Sequence, residues 1–243
     1  MSGIENQVER VHITPVGDTV KIMHGELPFF QKDGVNYRVD TLQSILDLVR
    51  SKGSAEKTII FYNDTFIHAI LDDTINDRTL DTARYNFSYS IEFLAWKEIL
   101  GDKLIQKDLI EFLRNHPGDV VGGIDYLISM VSKLKVVTEI VGDYNYDDNN
   151  NVSFFFKSKD GEGQVKLPAV IQIQIPVFRE SSFVPIIDIE LQLNKPKSEN
   201  EKPTIQLTCQ KLKFYHNNAV KHEVSLLKET LSGFMIFAGA PTR

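Results

Sequence analysis

The chain has 243 residues, 42% of them hydrophobic and 25% charged, with a formal net charge of −6. This balance excludes intrinsic disorder and leaves enough chain for one large domain or two small ones. The negative charge argues against a protein built mainly for non-specific nucleic-acid binding, which needs Lys and Arg to displace counterions.

Taken in chain order, residues 11–39 read as short strands broken by turns at Val16-Gly17-Asp18 and Lys32-Asp33-Gly34. A helix follows, with Asp40 and Gln43 as a capping box and Leu42, Ile45, Leu46 and Val49 as the apolar stripe; Gly53 stands where a left-handed residue would end it. Thr58–Tyr62 and Thr65–Leu71 are β-rich runs split by Asn63-Asp64, a hairpin signal, and residues 72–82 form a polar loop. Tyr85–Ile91 alternates as a half-buried strand, and Glu92–Leu100 switches to helical spacing. Two more helices use Ile105, Leu109, Phe112 and Leu113, stopped by His116-Pro117-Gly118, and then Val120, Ile124, Leu127, Ile128, Val131 and Leu134. Residues 136–141 fit either a helix or a strand.

After the polar break at residues 147–151 the pattern is mostly β. Val152–Phe156 and Val165–Leu167 flank a turn-rich stretch as a hairpin, while Ala169–Phe178 and Val184–Leu193 alternate at period two, with Pro176 and Pro185 at strand ends. Residues 194–203 form a polar loop, and Thr204–Leu212 continues the sheet. A last helix carries Val220, Val224, Leu227 and Leu231, with Gly233 beyond it, before a short strand at Phe234–Phe237. The expected class is α+β: a mixed α/β and helical N-terminal part (1–148), then a mainly antiparallel β part with one late helix (149–243), or one continuous domain of both. Residues 1–150 carry 15 basic and 24 acidic side chains, a net −9, and residues 151–243 carry 12 and 9, a net +3. Such asymmetry can separate two binding surfaces, although chance variation on solvated faces gives the same count.

Cys209 is the single cysteine, so no intramolecular disulfide can form. No run approaches the roughly 20 apolar residues that span a bilayer. The first ten residues lack a secretory pattern, so the expected location is cytoplasmic, with no membrane partner.

The aromatic segment Tyr85-Asn86-Phe87-Ser88-Tyr89, with Phe93–Lys97 and Gln106–Leu113 after it, resembles the middle of the YfdQ-like family, a domain of unknown function found in tailed phages and bacterial prophages. Val165–Pro168 leading into Ile173–Phe178, and the ending Phe237–Pro241, resemble later parts of the same family. The resemblance covers nearly the whole chain and implies a phage or prophage origin with expression in a bacterial host cell. It carries over no catalytic residue.

The most suggestive polar cluster is His68, Asp72, Asp73, Asp77 and Asp81, with Asp64 or Glu92 in reserve. Carboxylates at a strand end can hold Mg²⁺ or Mn²⁺ in a nuclease or phosphodiesterase site, with Asp72 and Asp73 as the metal ligands; a solvated acidic loop with no metal is the favoured reading. A basic-aromatic stretch, Lys211, Lys213, Phe214 and Tyr215, could stack and charge-pair with single-stranded nucleic acid, or protect an edge strand with lysines. His12, His24, His116, His216 and His222 show no metal-ligand spacing, Cys209 reads as a structural thiol, and Gly122-Gly123 reads as helix-start geometry. No nucleotide-loop, dinucleotide or nucleophile-elbow motif occurs, and no cofactor is expected. These features favour a phage accessory protein that binds a host or phage protein, plausible as an inhibitor of host defence. A metal-dependent nuclease and a single-strand-binding accessory of recombination or replication are the alternatives, and homo-oligomers are compatible with all three.

Overall fold

In the computed structural model, residues 11–16, 19–24, 34–74, 80–133, 139–146, 151–158, 161–194 and 201–241 are described, with the backbone alone in 11–16, 19–24, 139–146, 151–158 and 161–165. The elements alternate between two cores. β1 (Val11–Val16) and β2 (Thr19–His24) pair as an antiparallel ribbon. β3 (Asn36–Val39), α1 (Leu42–Lys52), β4 (Ile59–Tyr62), β5 (Phe66–Ile70) and β6 (Thr82–Asn86) follow, then α2 (Ile91–Ile99), β7 (Lys103–Ile105), α3 (Gln106–Asn115) and α4 (Ile124–Ser132). β8 (Glu139–Tyr146), β9 (Asn151–Ser158) and β10 (Gly161–Pro168) form a three-stranded antiparallel sheet. β11 (Val170–Gln174), β12 (Ile186–Asn194), β13 (Thr204–Thr208), α5 (Leu212–Thr230) and β14 (Met235–Ala238) complete the chain. The class is α+β.

Each of the two larger sheets takes strands from both sides of residue 148. The four-stranded antiparallel sheet has the order β11-β12-β13-β7, and the five-stranded mixed sheet has the order β14-β4-β5-β6-β3. In the latter, β14 lies parallel to β4 and β3 parallel to β6. A cut at 148/149 therefore does not separate the sheets.

The first core buries one face of β11–β13 under four helices. Period-two alternation sends Ile171, Ile173, Ile187, Ile189, Leu191, Leu193, Ile205 and Leu207 inward, where they meet Phe93 and Trp96 of α2, Leu109 and Leu113 of α3, Leu127 and Val131 of α4 and Tyr215 of α5. The Trp96 indole N–H, which must find an acceptor when buried, donates to Asp119 Oδ2 at 2.7 Å. The second core places Ile45, Leu46 and Val49 of α1, Leu227 of α5 and Leu231 against Ile60, Ile67, Ala69, Ala83 and Tyr85 of the five-stranded sheet. α5 serves both cores. At 19 residues it is about 28 Å long, enough to reach from one sheet to the other.

Several local expectations change. α1 is capped by Thr41, whose Oγ1 accepts from Ser44 N at 3.2 Å, and not by an Asp40–Gln43 box; Gln43 instead donates to Asp47 one turn on. Gly53 is extended (φ −92°), not left-handed. Its place is set by crowding, because a Cβ there would lie 2.6 Å from Thr58 Oγ1 and 2.7 Å from the Val49 carbonyl. The strand foreseen over Tyr85–Ile91 ends at Asn86 and resumes only as an isolated bridge between Tyr89 and Phe178. Ile105 ends β7 and Val120 bridges Ile173, so α3 and α4 both start later than foreseen. β13 stops at Thr208, and the segment from Leu212 is helical, because Leu212, Tyr215, Ala219 and Val224 extend the stripe of the last helix back by more than two turns.

Candidate functional site

The residues singled out for chemistry do not assemble. Asp72 Oδ1 accepts from the Thr74 backbone N–H (3.0 Å) and hydroxyl (2.5 Å), and Asp72 Oδ2 lies 3.6 Å from Lys57 Nζ. These contacts, the Thr74 hydroxyl first, hold its carboxyl below the usual range. The Asp73 backbone N–H donates to the Lys57 carbonyl, and Asp81 Oδ1 accepts from Val35 N at 2.7 Å, tying the loop to the start of β3. Asp77 lies outside the described residues. Among the described residues no group of three His, Cys, Asp or Glu side chains could hold a metal ion.

The basic-aromatic stretch is the first turn of α5. Lys211, Lys213 and Phe214 are exposed, but Tyr215 is buried in the first core and its hydroxyl accepts from Asp188 N at 3.3 Å, so it cannot stack on a base. His216 is committed to structure: Nε2 donates to the Asp64 carbonyl (3.2 Å), which leaves Nδ1 to accept from the Tyr89 hydroxyl (3.1 Å). His222 bonds Ser182 Oγ, and the half-buried Cys209 thiol has its pKa pushed up, chiefly by burial, away from thiolate chemistry. Gly122 and Gly123 adopt φ of 82° and 95°, which glycine alone reaches without strain, and they start α4 beside an open cleft of about 510 Å³ lined by Val121, Tyr126 and Asp188.

A different constellation lies on the five-stranded sheet. Residues paired in register share a face, and α1 and α5 cover the face of Ile60, Ile67 and Ala83. The opposite face carries one continuous row from edge to edge: Phe237 opposite Phe61, Phe61 opposite His68, His68 opposite Arg84, and Arg84 opposite Arg38. With strands about 4.8 Å apart, the row is about 19 Å long. The row beside it reads Met235, Ile59, Ile70, Thr82 and Asn36, and Phe66 opposite Asn86 lies on its other side. None of these twelve positions is a carboxylate, although the chain carries 33 acidic residues.

The row is apolar at one end and cationic at the other. Phe237 is 50% exposed and Met235 37%, and the Phe61 and Phe237 rings lie 6.2 Å apart. The Arg84 guanidinium sits 4.0 Å from the centre of the Phe66 ring, and its Nε donates to Asn86 Oδ1 at 2.9 Å. Arg38 is exposed. Between the two ends, His68 Nδ1 is buried without a hydrogen-bond partner. Burial first, and then Arg84, lower the His68 pKa from 6.5, so the ring is neutral at pH 7. No local motif marks this row, because its five residues come from five strands spread over 200 positions of sequence; only the Phe61–His68 pair follows from the foreseen hairpin. No helix of the described residues is long and apolar enough to cross a membrane. Comparison of the chain with protein-family models, with curated proteins and with solved structures finds no match.

Proposed function

We propose that this chain acts by binding rather than by catalysis, as an accessory protein in the phage or prophage setting that its resemblance implies, with the open sheet face as its docking surface. The observation that carries the reading is the contrast on one sheet: the face opposite the helices buries Phe66 and Ile70 at its centre but keeps Phe237 and Met235 exposed at the β14 edge and Arg38 exposed at the β3 edge, with no acid among its twelve described strand positions. A small soluble domain gains nothing in folding from such a patch, and exposed apolar groups rimmed by polar ones mark interaction sites. Counter-defence, the occupation of a host immunity factor, is the role that fits an accessory protein of this kind.

The test is capture from a bacterial host lysate, with the captured factor identified, comparing the wild-type chain with Phe237→Asp and Arg38→Glu on the open face and Lys213→Glu on α5. The reading expects both face substitutions to release the partner and the α5 substitution to leave it bound. Capture that is indifferent to the face substitutions would overturn it.

A further inference from the structure

We infer that the open face of the five-stranded sheet takes single-stranded nucleic acid, laid across the strands with bases on Phe237 and Phe61 and phosphates on Arg84 and Arg38. The inference rests on the reading that this face is the binding surface, and assigns that surface to a nucleic acid in place of a protein partner.

Three features of the row select this ligand. The first is its polarity: aromatic rings at the β14–β4 end and guanidinium groups at the β6–β3 end, in register and on one face. Every nucleotide of a single strand carries both a stackable base and an anionic phosphate, so a strand laid along the row can stack at one end and charge-pair at the other. The second is charge. The described strand positions of the face carry two arginines and no carboxylate on a chain of net charge −6; among the described residues neither is held in a salt bridge, Arg38 is exposed, and Arg84, packed on Phe66 with its Nε given to Asn86, has its terminal N–H groups left for a phosphate oxygen. An acidic peptide would satisfy the arginines but would leave the exposed Phe237 ring without a planar partner. The third is length. A row about 19 Å long accommodates about four nucleotides, the lower end of single-strand site sizes.

The arrangement also sets the expected strength. Two neutralised phosphates give a salt dependence of log K on log salt with a slope of about −1.4, at about 0.7 per phosphate on a single strand. The negative net charge offers no long-range steering, so binding is strongest at low salt.

The experiment is fluorescence anisotropy of a labelled twelve-residue oligothymidylate titrated with the full chain at low salt, and then across a salt series. Binding is expected with the shallow slope above. Phe237→Ala is expected to weaken it about 5- to 150-fold through the lost stack, and Arg38→Gln to halve the slope, while Lys213→Gln on α5 changes neither. Phe237 and Arg38 are both exposed, so these variants keep the fold, which circular dichroism and a melting curve verify. No binding at low salt overturns the inference, as does equal affinity for a duplex of the same length, or loss of binding in Lys213→Gln with none in Phe237→Ala. If the oligonucleotide fails to bind while Phe237→Asp still abolishes capture of a protein partner, the nucleic-acid assignment falls and the binding-surface reading stands. If the face substitutions affect neither, both fall.

Discussion

The two faces of the five-stranded sheet are made by the same strands, and packing accounts for more of the residues on one than on the other. On the covered face Ile60, Ile67, Ala69 and Ala83 are fully buried beneath Ile45 and Val49 of α1 and Leu227 of α5. Packing alone accounts for those residue types, since each buried aliphatic side chain contributes about 1.5–3 kcal/mol relative to exposure. On the opposite face Phe237, Met235, Arg38 and Asn36 stay exposed at the two edges, while Phe66 and Ile70 between them are buried, Phe66 beneath the Arg84 guanidinium and beside the His68 ring. Packing accounts for Phe66 under Arg84 but not for the exposed ring of Phe237 at the sheet edge.

Substitutions sharpen this contrast. The largest effect is expected at Ile67→Ala on the covered face, which deletes a fully buried side chain and should lower stability by about 2–5 kcal/mol in urea unfolding without altering ligand binding. Gly53→Ala comes next. The added methyl group would press on Thr58 Oγ1, itself engaged with Ser54 N and the Leu71 carbonyl, and on the last turn of α1, at a cost of about 1–3 kcal/mol. If Gly53→Ala instead leaves the melting temperature unchanged, the close packing of α1 against the start of β4 is wrong.

Two smaller effects depend on pH and have opposite signs. Glu223 is 2% exposed, accepts from Ser181 Oγ at 2.5 Å, and has its carboxyl pKa raised above 4.5, with burial as the largest cause. A raised folded-state pKa gives stability that is present below the unfolded value and lost as pH rises through the folded one. Glu223→Gln, which keeps an acceptor for Ser181, should therefore gain on the wild type as pH is taken from 4 to 7. His68 on the open face runs the other way. Its lowered pKa gives stability that is present above 6.5 and lost as pH falls through the folded value. Melting curves from pH 8 to 5 should show that loss in the wild type and not in His68→Gln. The smallest effect on stability is expected for Phe237→Ala, within about 0.5 kcal/mol at this exposed site, although the same substitution is expected to have the largest effect on binding.

How far these regions could be read in advance follows from how local their signals are. The hairpin of β4 and β5, the stripe of α1 and the alternation of β12 depend on neighbours in sequence, and they stand where the pattern put them. The first turns of α5 were hidden because the run from Lys211 to Tyr215 reads as an edge strand and polar His216 interrupts the apolar stripe; His216 is tolerated there because both ring nitrogens find hydrogen-bond partners. The acidic residues after β5 looked like ligands because composition cannot show that Asp72 spends its carboxylate on Thr74 two residues away. The row on the open face was invisible for a topological reason. β14 returns from the end of the chain to lie beside β4, and β3 lies parallel to β6, so no window of sequence contains Phe237, His68 and Arg38 together.

The most direct test of the open face is a map of amide chemical shifts in the labelled full chain as the oligothymidylate is added. Perturbations should run along Phe237, Phe61, His68, Arg84 and Arg38 and leave Ile60, Ile67 and Ala83 unmoved. Shifts centred on Lys211, Lys213 and Phe214, or confined to the cleft at the start of α4, would contradict the account.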